Sequence, residues 1–258
     1  TYIIDGWQRI GTALRVLDLI PDTEIRIGAL VHFNTTPAWE ADRFTRLNLS
    51  RKKVSANLHL RNLRADNHAV LTLYGVSTNH PGPLKGKVCW EQNMKRDQLI
   101  SSLLLGKVVK SLHAHKTAMH GMTAPLVAES LSRAAENVSL SRFRQNVITF
   151  FDVIDECLGL RSVEFKTAAT QIKGGFMISL AQLFSRHLNF WGEDGACLQV
   201  DASWRKKLAQ FQINDPYVRD LAGSSGKAQG ILYGLLCDHV NSGKRINQLE
   251  PRRAGGTE

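Results

Sequence analysis

The 258-residue chain contains no uninterrupted apolar stretch near the roughly 18 to 20 residues a membrane span needs, because Lys, His or Ser breaks its longest helical runs. A transmembrane helix is therefore not expected. Cysteine is sparse: Cys89, Cys157, Cys197 and Cys237 are widely spaced and never form C-x-x-C, which argues against a disulfide framework and a zinc knuckle. Reduced, mostly buried thiols are expected. Seven prolines and 22% charged residues beside 43% hydrophobic ones leave little room for extended disorder. G-x-S-x-G, H-E-x-x-H and HNH-like clusters are missing, and Asp238-His239 has no neighbouring metal partner, so no effector nuclease is expected in the C-terminal part. Internal repeats and a heptad series are also missing. The opening residues, Thr-Tyr-Ile-Ile-Asp-Gly, have neither a basic n-region nor an apolar run, and a cytoplasmic location is the default expectation. Because Tyr2-Ile3-Ile4 reads as a buried strand and domains rarely begin inside one, further residues are expected upstream.

Positive charge is in excess, with 33 Lys and Arg against 23 Asp and Glu, a net +10 that suits a polyanionic partner such as DNA. The pattern predicts an α+β chain: a mixed α/β head followed by a mainly α-helical body. Tyr2-Ile3-Ile4 reads as a strand, Asp5-Gly6 as a turn, and residues 10–20 as a helix with Ile10, Leu14, Leu17 and Ile20 on one face. Residues 24–33 alternate as a second strand would. Thr36 then supplies an N-cap and Pro37 a first helical position, with Glu40 and Asp42 near the positive end of the dipole; that helix is expected to end around Asn48. Ser55 caps a third helix expected to carry Leu58, Leu63 and Val70 on successive turns.

The punctuated stretch from Asn79 through Pro81, Gly82 and Pro83 to Gly86 predicts a boundary, giving a head over 1–80, a helical domain over 87–250 and a frayed Arg- and Gly-rich tail over 251–258. Helical stripes are expected at Ile100, Leu103, Leu104, Val108 and Leu112; at Leu126, Val127, Leu131 and Ala134; and at Phe143, Val147, Phe150, Ile154 and Leu158. Others follow at residues 178–188, around Trp204, Leu208 and Phe211, and at 231–240.

The segment around Asp5, Gly6, Trp7, Gln8 and Arg9 is the most informative for chemistry. A strand that turns at Gly into a helix aims free N–H groups at any anion placed there, and Arg9 in the first turn adds a bidentate contact. Asp5 suits orienting Arg9, binding a metal ion such as Mg2+ or activating water. A plainer reading has Asp5 cap the helix and Arg9 pair with a surface carboxylate. These residues resemble the D-G-Q-x-R signature of the ParB/sulfiredoxin-like superfamily, whose wider pattern is matched by Gly6, Arg9, Thr12, Ala13 and Leu14. A second block, Phe44, Arg46, Asn48, Val54 and Ser55, resembles the F-x-R-x-N…(L/V)-S element that follows the signature in DGQHR-domain proteins of DNA phosphorothioation systems and in GmrSD-like restriction enzymes.

The resemblance covers about residues 1–80. It implies a nucleotide-binding, NTP-hydrolysing, DNA-associated protein of a DNA-modification, restriction or mobile-element system, working as a homo-oligomer or with a partner subunit. It assigns Asp5, Gln8 and Arg9 to catalysis, Asp5 to metal, and Gly6, Arg9, Thr12, Asn48 and Arg51 to a nucleotide triphosphate. Trp7 stands where the signature usually has Gln, which separates hydrolysis from phosphate binding; its ring suits either stacking on a base or core packing. The sulfiredoxin cysteine is absent from the turn, which weighs against peroxiredoxin repair. Two alternatives are a non-catalytic DNA-binding regulator or scaffold and a metal-dependent ParB-like nuclease.

Asn48 precedes the run Arg51-Lys52-Lys53, expected between two helices, where it would touch a nucleotide or nucleic-acid backbone or merely cap the preceding helix. Arg43, Arg46, Arg51, Lys52 and Lys53 are the expected nucleic-acid contacts, thickened by Arg61 and Arg64; Arg142, Arg144, Arg205, Lys206 and Lys207 offer a second basic surface. His113, His115 and His120 read as cationic partners of a helix C-terminus rather than metal ligands. Residues 223–228, Gly-Ser-Ser-Gly-Lys-Ala, miss the phosphate-loop spacing and read as a helix start, with Ser224, Ser225 and Lys227 near phosphates.

Overall fold

A computed structural model describes residues 7–28, 31–50, 54–114, 122–164, 169–224, 226–243 and 248–252, with the backbone alone for 7–9 and 44–50. The chain divides into two compact units, Thr1–Lys53 and Val54–Glu258. The first holds α1 (Trp7–Leu19) and α2 (Pro37–Ser50), with no helix or strand among the described residues between them. The start of α2 follows from local chemistry: Thr36 Oγ1 accepts from Trp39 N at 3.3 Å, and Pro37 occupies the position where a missing N–H costs nothing. The strand expected over 24–33 is absent from its described residues, 24–28 and 31–33. Alternation of Ile25 and Ile27 with Glu24 and Arg26 defines two faces without supplying a neighbouring strand; Ile27 stays 44% exposed, and Arg26 Nε pairs with Glu24 Oε1 at 2.7 Å. The expected strand at Tyr2 to Ile4 lies outside the described residues.

Among its described residues, the regular structure of the second unit is helical apart from one two-stranded parallel sheet. It begins with α3 (Ala56–Leu63), capped by Ser55 as expected, and α4 (His68–Thr78), capped by Asn67. β1 (Val88–Cys89) and β2 (Ile100–Ser101) pair in parallel, Val88 opposite Ile100. Then come α5 (Ser102–His113), α6 (Ala124–Val138), α7 (Leu140–Leu158), α8 (Gly174–Arg186), α9 (Ala202–Ala209), α10 (Pro216–Ala222) and α11 (Lys227–Asn241). Gly159 ends α7 in the left-handed conformation at φ 67°, where an L side chain would be strained. α8 is buried at every position from 175 to 185 and packs against both α5 and α11, so it is the central helix of the core. Gly175 allows the close approach of α10: a Cβ there would meet Ala222 O at 2.6 Å.

The stretch at 79–86 does not separate two bodies. α3 and α4 belong to the helical unit: α3 packs on α5 and α6, and α4 on α6 and α7. Pro and Gly there make a turn rather than a linker, since Leu84 is buried and Gly86 N donates to Ser77 O at 3.1 Å. Two expected stripe members face outward, Leu126 at 48% and Ile231 at 47% exposure, while Phe143, Val147, Phe150 and Ile154 are buried as a set. The tail is tied down at its start: Pro251 bridges His187, and Arg252 N donates to Arg186 O at 2.7 Å. Of the cysteines, Cys89 is buried and the other three are half-buried free thiols.

Candidate functional site

α1 begins at Trp7, directly after Asp5-Gly6, so Gln8 and Arg9 occupy its first turn and no acidic residue shares that turn. Thr12, exposed, follows Arg9 by three positions and Gln8 by four, on the same side of the helix. Asp5 and Gly6 lie outside the described residues, as do Arg51, Lys52 and Lys53. Asn48 and Arg46 are in α2, and Asn48 sits in its last turn rather than in a loop between helices.

The start of α2 forms a feature that the basic pattern alone did not reveal. His32, Phe33, Asn34, Thr35, Thr36 and Trp39 line a concavity of about 250 Å³. The His32 ring meets Trp39 edge-on, centroids 4.8 Å apart, and the Arg43 guanidinium lies 5.1 Å over the Trp39 ring. Asn34 turns the chain with φ 55°, and Thr35 Oγ1 donates to Glu40 Oε1 at 2.7 Å. Three rings within eight residues were the available sequence signal.

On the helical unit, several cations of the second basic surface are engaged within the fold. Arg142 pairs with Asp194 at 3.0 Å, Arg205 pairs with Glu156 and donates from Nε to Val200 O at 2.8 Å, and Lys207 Nζ donates to Ser242 O at 2.6 Å. Arg144 and Lys206 are exposed. Ser224 Oγ donates to Asp220 O at 3.1 Å, and Lys227 opens α11 behind Gly226, the expected helix start; Ser225 lies outside the described residues. A wider hollow of about 470 Å³, lined by Asn189, Trp191, Gln199, Asp201 and Arg205 among others, has most of its polar groups in use. Asn189 binds the backbone of Gln248 and Glu250, and Asp201 caps α9.

A part-buried polar cluster replaces the dipole role expected of His113, and a second gathers around His187. His113 Nδ1 donates to Val109 O at 3.0 Å, which leaves Nε2 to accept from Asn146 Nδ2 at 3.3 Å. Asn146 also donates to Ala196 O at 2.9 Å and accepts from Leu198 N at 2.8 Å. Burial, reinforced by nearby Arg252, pushes the His113 pKa down to about 4, so the ring is a neutral linker and not a cation at a helix end. His115 and His120 lie outside the described residues. In the second cluster His187 Nε2 stands 3.0 Å from Tyr233 Oη and 3.8 Å from Cys237 Sγ. Burial raises the Cys237 pKa and lowers that of His187, which favours a neutral thiol and imidazole over the ion pair a nucleophilic cysteine needs. Among the described residues no group of three or more His, Cys, Asp or Glu could hold a metal ion.

No helix among the described residues is long and apolar enough to cross a membrane. No family model, curated protein or solved structure matches the chain.

Proposed function

We propose that this protein binds a nucleotide through the start of α1 and associates with DNA, in a DNA-modification, restriction or mobile-element setting. The observation that carries the reading is that α1 begins at Trp7, with Gln8 and Arg9 in its first turn and no carboxylate among them. The first N–H groups of a helix have no partner within it, and its dipole favours an anion there. Arg9 supplies the charge and Thr12, one turn on, a hydroxyl. Asp5 would hold Mg2+ or orient water for hydrolysis of a nucleoside triphosphate, while Trp7 in place of Gln separates binding from turnover.

Charge distribution supports the DNA half of the reading. Residues 1–53 carry eight basic against six acidic side chains, and residues 54–258 carry 25 against 17, so the positive excess lies chiefly on the helical unit. A panel of nucleoside triphosphates, tested for binding and hydrolysis with and without DNA, checks the proposal. Arg9→Ala is expected to abolish nucleotide binding with an unchanged circular dichroism spectrum, and Asp5→Ala to suppress turnover more than binding. Unchanged nucleotide affinity in Arg9→Ala overturns the site.

A further inference from the structure

The concavity at the start of α2 has no part in the site proposed on α1. Its rings do not serve a core: no described side chain of residues 1–53 is buried, and Phe33 is 83% exposed. Aromatic surface left in water beside a half-buried tryptophan and an arginine is what a stacking ligand covers. The remaining lining supplies polarity. Asn34, held at φ 55°, offers an amide with both donors and an acceptor, and Arg43, outside the lining but 5.1 Å over the Trp39 ring, adds a positive charge for a backbone phosphate. A volume of about 250 Å³ falls just below the sites that enclose drug-sized ligands, so it suits one ring system rather than a whole nucleotide.

From this we infer that the His32, Phe33, Trp39 and Arg43 face is a stacking site for one unpaired base of single-stranded nucleic acid. Duplex DNA keeps its base faces covered and offers this surface nothing to stack on. A free nucleotide would present the same base, so the experiment must separate the two sources. The inference rests on the nucleic-acid half of the reading above but uses none of the α1 residues.

The test uses the whole chain and fluorescence anisotropy with a labelled oligothymidine of about 12 nucleotides, within the site sizes of single-strand binders. Phe33→Ala and Trp39→Ala are each expected to weaken oligonucleotide affinity about 5- to 150-fold, the usual cost of losing one stacking ring. Trp39→Phe should restore most of it, and duplex affinity should not move. Phe33 is so exposed that its variant keeps the fold even where Trp39→Ala does not, and it then decides the matter. Unchanged oligonucleotide affinity in Phe33→Ala overturns the inference. So does displacement of the oligonucleotide by thymidine monophosphate at equal base concentration, which would mark a free-nucleotide site. If Phe33→Ala is silent while Arg9→Ala loses nucleotide, the stacking site falls and the α1 site stands. If Arg9→Ala is silent while Phe33→Ala loses the oligonucleotide, the reverse holds.

Discussion

In residues 1–53 every described side chain keeps some exposure to water, whereas α8 in the helical unit buries eleven residues in succession, 175 to 185. Both regions have helical apolar periodicity. In α1, however, Leu14 and Leu19 are 56% and 81% exposed, while in α7 Phe143, Val147, Phe150 and Ile154 lie at 0–1%. Periodicity reports which residues share a face; it does not report whether that face has a neighbour to pack against. Burial of apolar surface is thus concentrated in the helical unit, and the described side chains of the N-terminal region stay open to solvent.

The largest effect that would break this contrast is expected at Phe184. Its ring is fully buried, crosses Phe150 edge-on at 5.5 Å and lies 4.6 Å from Phe190. Phe184→Ala should cost about 3–5 kcal/mol and lower the melting temperature by roughly 10 °C. A loss under about 1 kcal/mol in urea unfolding would mean that the core is looser than its packing implies.

Next in size is a pH effect within the same core. The folded pKa of His113, about 4, lies below the ordinary value of 6.5, so between these two values the unfolded chain takes up a proton that the folded chain refuses. The stability gained from keeping His113 neutral is full above pH 6.5 and is lost as pH falls from 6.5 towards 4, by about 3 kcal/mol at most. Protonation would also set an N–H against the Asn146 amide that now donates to Nε2. Denaturation at pH 7.5 and pH 5 should show wild type losing more than His113→Phe; parallel losses would assign the pH dependence to other groups.

Much of this was legible in the sequence where the cause is local. Thr36 before Pro37, Ser55 before α3 and the spacing of the α7 phenylalanines all act within one or two turns, and the structure has each as read. What failed depends on partners distant in sequence. Residues 24–33 alternate like a strand but have no ladder, and the Pro and Gly of 79–86 make a turn that α4 and Trp90 hold: Trp90 Nε1 donates to Ser77 Oγ at 2.9 Å. His113 was read as a helix-end cation because nothing nearby in the chain announces Asn146, 33 residues on. For the site, a helix start with Arg9 in its first turn was legible, but the concavity at the start of α2 depends on Asn34 bending the chain to bring His32 against Trp39.

The smallest expected effect sharpens the contrast from the other side. Leu19 ends α1 at 81% exposure, so Leu19→Ser removes a side chain that folding has hardly taken out of water. Leu is the better helix former of the two, but at the last helical residue the difference counts for little. Stability should therefore change by no more than about 0.5 kcal/mol, against the several lost at Phe184 for a comparable truncation. Urea unfolding of the two variants side by side measures the ratio directly. A loss at Leu19 above about 1.5 kcal/mol would show that this face of α1 is covered in solution, and the N-terminal region would then have to be regarded as a packed element with a partner surface rather than an open one.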